Sequence, residues 1–309
     1  MTDAMDIELP RGVALAWGVA ANPQRGPKRE MSVELIVDAA VEIADADGLG
    51  AVSMAAVAAR LGYTPMSLYR YVSAKEDLVL LMQEEATGLP SDATRTAEGW
   101  RDRLQALYRE QVQRYLEHPW VLDVPINGSP TTPNSAAWMD AGLHALADTP
   151  LTHAERLSVM LLVTGHARWT GMVLAGYARV ERDRKVDDVE IARSEDALFR
   201  QLITADAYPD LRAAIEAGVF LDDADPFAFN LGLSLDGVAG YISAVEDGQR
   251  TERAGWTVRA DEDISDDKRF REAQKAVREA EKTLRDAHRA VRQAAREARE
   301  RRARQRPEG

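Results

Sequence analysis

Residues 53–75 read SMAAVAARLGYTPMSLYRYVSAK, and the reading of this stretch decides the fold. Ser53 is a good N-cap, since its hydroxyl can accept an orphan N–H of a first helical turn. Met54, Val57, Ala58 and Leu61 recur at i, i+3, i+4 and i+7, which gives one apolar helix face. Gly62 follows directly, where a helix commonly ends in a left-handed residue. Thr64 can cap a second helix, and Pro65 suits its first position, where a missing N–H costs nothing. Leu68 and Val72 lie one turn apart and can anchor this short helix to a core. Met66, Ser67, Tyr69, Arg70 and Tyr71 are left around its outer faces. Ser73-Ala-Lys-Glu76 reads as a capping box that opens a third helix.

A short helix anchored by two apolar residues and offering Thr, Ser, Tyr and Arg outward suits the major groove of DNA. Arginine and hydroxyl side chains meet base edges or phosphates there. Spacing alone leaves open an αα-corner inside an all-helical core. The residues carry further. The run from Ser32 to Thr87 resembles the N-terminal domain of the TetR family of repressors, most specifically in SMAAVAARLG, in T-P-x-S-L-Y-x-Y-V and in the Lys75 that follows.

The resemblance implies a homodimeric, ligand-responsive transcriptional repressor. Each subunit would place its Pro65–Val72 helix in one half-site of an approximately palindromic double-stranded DNA operator. A small, apolar effector would bind a second helical domain, change the spacing of the two heads and release the DNA. Arg70 and Ser67 are expected to face bases, with Thr64 and Tyr71 flanking. The family's phosphate-binding tyrosine and lysine match Tyr69 and Lys75. Ser53, Pro65 and Met66 complete the expected DNA-contacting set.

Composition agrees with an all-α chain. The sequence has 309 residues, enough for about two domains, and 45% hydrophobic residues with only 6% aromatics. Long alternating β-branched runs are absent. The absence of cysteine excludes disulfides and thiolate chemistry and fits a reducing cytoplasm, the expected location. The apolar run Val13–Ala21 is too short to span a bilayer, and Asp3, Asp6 and Glu8 precede it where a signal peptide would be basic, so no membrane partner is expected.

The net charge of −12 looks wrong for a DNA binder, but it is unevenly spread. From Asp266 onward there are 15 Lys+Arg and 9 Asp+Glu, whereas the preceding residues hold 24 and 42. An acidic body repels DNA except where positioned basic groups face it. Arg25, Lys28 and Arg29 lie in an extension, 1–31, just before the DNA-binding unit. They can form an arm along phosphates or in the minor groove, or belong to a solvated linker. In the same extension Pro10, Pro23 and Pro27 argue against one continuous helix, and Val13, Leu15, Trp17 and Val19 alternate as if covering an apolar patch.

The remaining organisation is set by periodicity and breakers. The DNA-binding domain is expected at 32–88, with a first helix over 32–47 and a fourth, about 74–87, linking it to the second domain. Residues 97–247 read as a helical regulatory and dimerisation domain. Thr152-x-x-Glu155 is a capping box for a long helix to about Val180, and Asp225-Pro226 opens another to about Val245. These two carry Gly165, Gly171 and Gly176, and Gly232, Gly237 and Gly240. Glycine in a helix costs up to about 1 kcal/mol against alanine, so six of them suggest close helix approach. The family resemblance assigns this pair to a dimerising four-helix bundle. Residues 248–265 read as a polar linker.

No catalytic constellation is present. The five histidines are scattered without metal-ligand spacing, and ADADGLGA lacks the preceding strand that a phosphate loop needs. No enzyme activity, metal or cofactor is expected. The second domain instead concentrates Tyr115, Trp120, Trp138, Met139, His144, His166, Trp169 and Met172, the residue types that line an apolar pocket with a few polar groups. Each also serves as ordinary core packing.

The tail, 266–305, is the least family-like part. Phe270, Val277, Leu284, Val291 and Ala298 repeat every seven residues, and Ala273, Ala280, Ala287 and Ala294 fall three residues later. Such a heptad argues a coiled-coil seam on a long helix, paired with a second tail or laid along the acidic body; nonspecific DNA contact through Arg299, Arg301, Arg302, Arg304 and Arg306, a solvated helix or a disordered tail are the rival readings. The alternative function is a helical interaction module that recruits a partner protein through this helix.

Overall fold

The computed structural model describes residues 9–19, 31–126, 128, 131–251 and 267–304. Among them are thirteen α-helices and no strand. They form two compact units, one ending at Arg250 and one beginning at Thr251.

The first unit is built around two hydrophobic cores. One gathers α1 (Arg11–Ala16), α2 (Val33–Asp47), α3 (Met54–Leu61), α4 (Pro65–Leu68) and α5 (Lys75–Thr87). Local chemistry sets the ends of these helices. Ser32 Oγ accepts the Leu35 N–H at 3.2 Å, and Ser53 Oγ accepts that of Ala56 at 3.1 Å. Gly62 takes φ +77°, and the chain reverses through Gly62 N–H to Ala59 and Tyr63 N–H to Ala58. A Cβ at Gly62 would meet nothing, so backbone conformation alone selects glycine there. Ile36, Val57, Leu68, Val72, Leu78 and Met82 are fully buried in this core.

Three local expectations fail. Ser73 does not cap α5. The chain reaches helical geometry only at Lys75, with an extended Ala74 as the cap residue and no side-chain cap bond. Val72 is fully buried in the preceding turn, so burial and not the Ser-x-x-Glu spacing sets where α5 starts. Thr64 likewise gives no cap bond to the backbone; its Oγ1 lies 2.9 Å from Ser67 Oγ instead. The alternating run from Val13 to Val19 is not an extended cover. Arg11–Ala16 is helical, so only Val13 of the four is buried while Trp17 and Val19 stay exposed. That helix packs on α5, where Gly12 N–H donates to Asp77 Oδ1 at 2.9 Å.

The second core joins α7 (Gly99–Glu117), α8 (Pro133–Ala145), α9 (His153–Arg184) and α12 (Pro226–Glu246), with the short α6 (Ala93–Thr96) beside α7. The capping box at α9 forms in full: Glu155 N–H donates to Thr152 Oγ1 at 3.3 Å, and Thr152 N–H to Glu155 Oε2 at 2.7 Å. Helices α10 (Asp188–Leu202) and α11 (Pro209–Glu216) pack against each other, aided by a Phe199–Phe220 ring stack at 4.6 Å. Among the described residues α9 is the one helix long and apolar enough to cross a bilayer, by length and composition only, and 28% of its apolar stretch is buried. One face of it, with Val163 and Ala167, enters the second core, and its Arg168 guanidinium donates to the carbonyls of Leu122 and Val124.

Of the six helix glycines, Gly171 alone makes a close approach within the chain. A Cβ there would lie 2.7 Å from that of Tyr115. Gly165, Gly176, Gly232, Gly237 and Gly240 face open space.

The second unit contains α13 (Lys268–Arg304), one continuous helix of 37 residues. At about 1.5 Å per residue it is a rod of about 55 Å.

Candidate functional sites

The first site is the outer face of α4 and its flanks. Leu68 and Val72 are fully buried, and this fixes the rotation of the short helix. The same rotation leaves Met66 75% exposed, with Tyr69 and Arg70 also exposed and Ser67 and Tyr71 half-buried. Thr64 and Pro65 are exposed at its start, Ser53 at the start of α3, and Lys75 at the first position of α5. The structure therefore brings Thr64, Met66, Ser67, Tyr69, Arg70 and Lys75 onto one short segment rigidly seated on a core. The expected arm residues Arg25, Lys28 and Arg29 lie outside the described residues.

The electrostatics of this face are sparse. Residues 31–88 contain three cations, Arg60, Arg70 and Lys75, against nine carboxylates. Arg60 is occupied in an ion pair with Glu42 at 2.5 Å. Arg70 and Lys75 are thus the cations that this domain can offer a polyanion.

The second site is the interior between α7 and α9. Tyr108 OH lies 2.9 Å from Thr170 Oγ1, and its ring stacks on His166 with centroids 5.5 Å apart. His166 Nε2 lies 3.0 Å from the Phe227 carbonyl at the start of α12. Gln111 Nε2 donates to Thr164 Oγ1 at 3.4 Å, while Gln111 Oε1 is buried without a partner. Tyr115 packs over Gly171 near Arg168. Burial pushes the Tyr108 and Tyr115 phenols above their ordinary value, so both are neutral donors at physiological pH. A buried amide oxygen with no partner is costly; among the described residues Glu84 Oε2 and Asp196 Oδ1 share that state, but only the Gln111 oxygen lies between α7 and α9. It is the mark of a place where a further hydrogen-bonding group fits.

Of the eight residues expected to line a pocket, Tyr115 and His166 lie in this polar interior. Trp120 does not. It belongs to the first core, and its Nε1–H donates to Asp45 Oδ1 of α2 at 2.7 Å. Trp138 is buried in the second core with its Nε1–H on the Gly88 carbonyl, just past α5. Met139 is half-buried, and His144, Trp169 and Met172 are exposed. Tyr108, Gln111, Thr164 and Thr170 are not among the residues that the sequence places in a pocket. Their signal was a polar atom on an otherwise apolar helix face: Tyr108, Gln111 and Tyr115 fall at i, i+3 and i+7 of α7.

Two joints connect these sites. The 3-10 turn Pro119–Asp123 is held from one side by Arg168 of α9 and from the other by Asp45, which takes both Trp120 Nε1 and His118 Nδ1. At the second, Asn134 of α8 donates its backbone N–H to Glu84 Oε1 at 2.7 Å and its side-chain amide to the Glu84 carbonyl at 2.8 Å. A third surface lies on the outside of α9 and α12. Leu161, Gly165, Trp169, Met172 and Gly176 form one exposed stripe, and Phe229, Leu233, Gly237 and Gly240 another. Among the described residues no cluster of three or more His, Cys, Asp or Glu is arranged to hold a metal.

Comparison with known proteins bears on both halves. The profile of the bacterial regulatory proteins, tetR family, matches residues 36–82, and that of the tetracyclin repressor-like C-terminal domain matches residues 93–242. The HTH-type transcriptional repressor DrrR1 of Streptomyces coeruleorubidus is 32% identical over 237 residues, covering 76% of this chain and 87% of its own. An HTH-type transcriptional regulator of Saccharopolyspora erythraea is 30% identical over 143 residues, 46% of this chain and 61% of its own. Among solved structures, apo ActR of Streptomyces coelicolor superposes with a TM-score of 0.59 at 19% identity, over 71% of this chain and 99% of that one. The same protein in complex with actinorhodin gives 0.55 at 20% identity, over 68% and 98%. At these identities the structures attest the fold.

Proposed function

Because this chain belongs to the TetR family of bacterial regulatory proteins, we propose that it is a homodimeric transcriptional repressor, released from a two-fold operator by a small organic effector. As a family member it is a ligand-responsive DNA-binding regulator. The observation that carries the DNA reading is the seating of α4: Leu68 and Val72 fully buried, Tyr69 and Arg70 exposed. A helix so seated enters the major groove as a rigid body. Arg70 and Ser67 read bases, with Thr64, Met66 and Tyr71 flanking, and Tyr69 and Lys75 hold phosphates. Arg25, Lys28 and Arg29 add an arm to a domain that has few cations of its own.

The effector site is the α7–α9 interior around Gln111, Thr164, Tyr108 and His166. Its chemistry suits a largely apolar molecule with at least one hydrogen-bonding group to meet the Gln111 amide. The complex of ActR with actinorhodin supports an organic ligand within this fold. Arg168 and Tyr115 border the same interior, and Arg168 holds the turn that carries Trp120 to Asp45. A ligand that shifts α9 therefore shifts the DNA-binding core, to the extent that it binds the two arrangements unequally. The exposed stripes of α9 and α12 are the faces that two copies share about a two-fold axis. The working compartment is the cytoplasm, where the DNA is.

Fluorescence anisotropy with the DNA flanking the chain's own gene tests the core of this reading. A saturable preference for one two-fold sequence over scrambled DNA, lost on adding a compound that quenches the tryptophans, is the expected result. Equal affinity for scrambled DNA sinks it.

A further inference from the structure

Helix α13 lies outside both family matches, and its apolar stripe is uncovered: Val277, Leu284 and Val291 are 57%, 57% and 65% exposed. The helix needs no partner to be helical, since Ala, Arg, Glu and Lys are strong helix formers. What asks for one is the way its charges are arranged. With Phe270 taken as heptad position a, alanine fills d at 273, 280, 287 and 294. Arg271, Arg278 and Arg285 repeat at b, Lys275, Lys282 and Arg289 at f, and Glu272, Glu279 and Asp286 at c.

Positions b, c and f point away from a coiled-coil seam, and e and g flank it. From Phe270 through residue 298 no lysine or arginine occupies e or g, Arg269 at the g before them being the one cation on a flank, although residues 268–304 hold 14 Lys+Arg against 6 Asp+Glu. A solvated helix has no reason to keep its cations off the two flanks of its apolar stripe. A helix meant for an acidic groove would place them there, at the rim of the contact. Clearing both flanks suits one partner best, another helix of the same net charge.

We propose that α13 pairs with α13 of a second copy of this chain as a parallel, two-stranded coiled coil. In register, Phe270, Val277, Leu284 and Val291 each meet their own counterpart across the seam. The intervening alanine layers bring the helices close together. In a fully overlapped antiparallel pair Phe270 would instead meet Arg301. The seam rests on the homodimer proposed above only for bringing two tails together; it is a separate clasp.

The chain has no cysteine, so single substitutions report contacts cleanly. Ala280→Cys and Ala287→Cys lie in the seam, and Lys282→Cys lies on the outer face. Under mild oxidation of the full chain, the seam variants should form disulfide-linked dimers at least about tenfold faster than Lys282→Cys, because pairing raises the effective thiol concentration. Adding Leu284→Glu to Ala280→Cys should abolish that advantage. Equal rates at seam and outer positions overturn the proposal, as does cross-linking that appears only when DNA is added. Sedimentation of a chain ending at Ile264 tests the body interface separately: a truncated monomer would count against that interface, not against the seam.

Discussion

The indole N–H of Trp120 donates to Oδ1 of Asp45 at 2.7 Å, and this one bond ties the turn after α7 to the helix that supports the DNA-binding face. His118 Nδ1 lies 2.8 Å from the same oxygen, and the ring of Trp120 is buried in the first core. Arg168 holds the other side of the turn. The expected route for a displacement of α9 to reach α2 is therefore this turn, with its polar contacts on both sides and its buried aromatic ring.

Trp120→Phe keeps most of the buried ring and deletes the donor. It should cost about 2–3 kcal/mol of stability, from the lost hydrogen bond to a carboxylate and the void left by the smaller ring. It should also move the effector concentration for half-release of operator by about fivefold, a coupling change of about 1 kcal/mol. Urea unfolding and anisotropy titration measure the two effects. A lower stability with an unchanged release curve would show that the joint only holds the fold together.

Arg70→Ala should cost about 1–3 kcal/mol of operator affinity and relax preference at one base pair of each half-site. Lys75→Ala should weaken all sequences alike and reduce the salt slope by about one per half-site. Binding-site selection followed by affinity at several salt concentrations separates the two roles. If Arg70→Ala keeps the same preferred sequence at the same affinity, that residue does not read bases.

With three cations against nine carboxylates in residues 31–88, the domain has little general attraction for DNA. Replacing Arg25, Lys28 and Arg29 together by alanine should therefore lower affinity for operator and scrambled DNA alike, with a smaller salt slope. A solvated linker would leave both unchanged.

Which features were legible in the sequence depended on the range of the interaction that sets them. Ser53, Gly62 and the Thr152–Glu155 box act within one turn, and each was readable from spacing; the cap at Ser32 has the same short range. Ser73 had the right spacing and failed because the buried Val72 fixes where α5 begins. Trp120 and Trp138 were readable as buried aromatics but not as joints, because Asp45 and Gly88, their partners, are 75 and 50 residues away. Gln111 shares a face of α7 with Tyr108 and Tyr115, but its partner Thr164 lies 53 residues away on α9, and only the packing of the two helices brings them together.

Glu155 provides the clearest pH dependence. Arg250 pairs with its carboxylate, Tyr241 OH donates to it at 2.6 Å, and it accepts from Thr152; together these pull its pKa from 4.5 down to about 2. A group whose folded pKa is depressed stabilises the fold above its unfolded value and loses that contribution as pH falls toward the folded one. The window is therefore between about 4.5 and 2. Glu155→Gln should lower stability at pH 7 and flatten the loss of stability across that window. Urea midpoints from pH 7 to 2.5 report it; parallel curves for the two proteins would refute the assignment.

Gly171 and Gly237 make opposite predictions from similar sequence. A Cβ on Gly171 would fall 2.7 Å from the Tyr115 Cβ, against a side chain wedged between α7 and α9. Gly171→Ala should destabilise the single chain by about 1–3 kcal/mol, the usual cost of overpacking, and do so at any concentration. At Gly237 a Cβ meets nothing within 4 Å in the chain, and the residue lies on an exposed stripe of α12. Gly237→Leu should leave the protomer folded and act only where a second copy approaches. The expected product is a well-folded monomer that no longer binds the two-fold operator. Circular dichroism, sedimentation and operator binding on the same preparation distinguish the cases. A Gly237→Leu protein that stays dimeric with full operator affinity places the interface elsewhere.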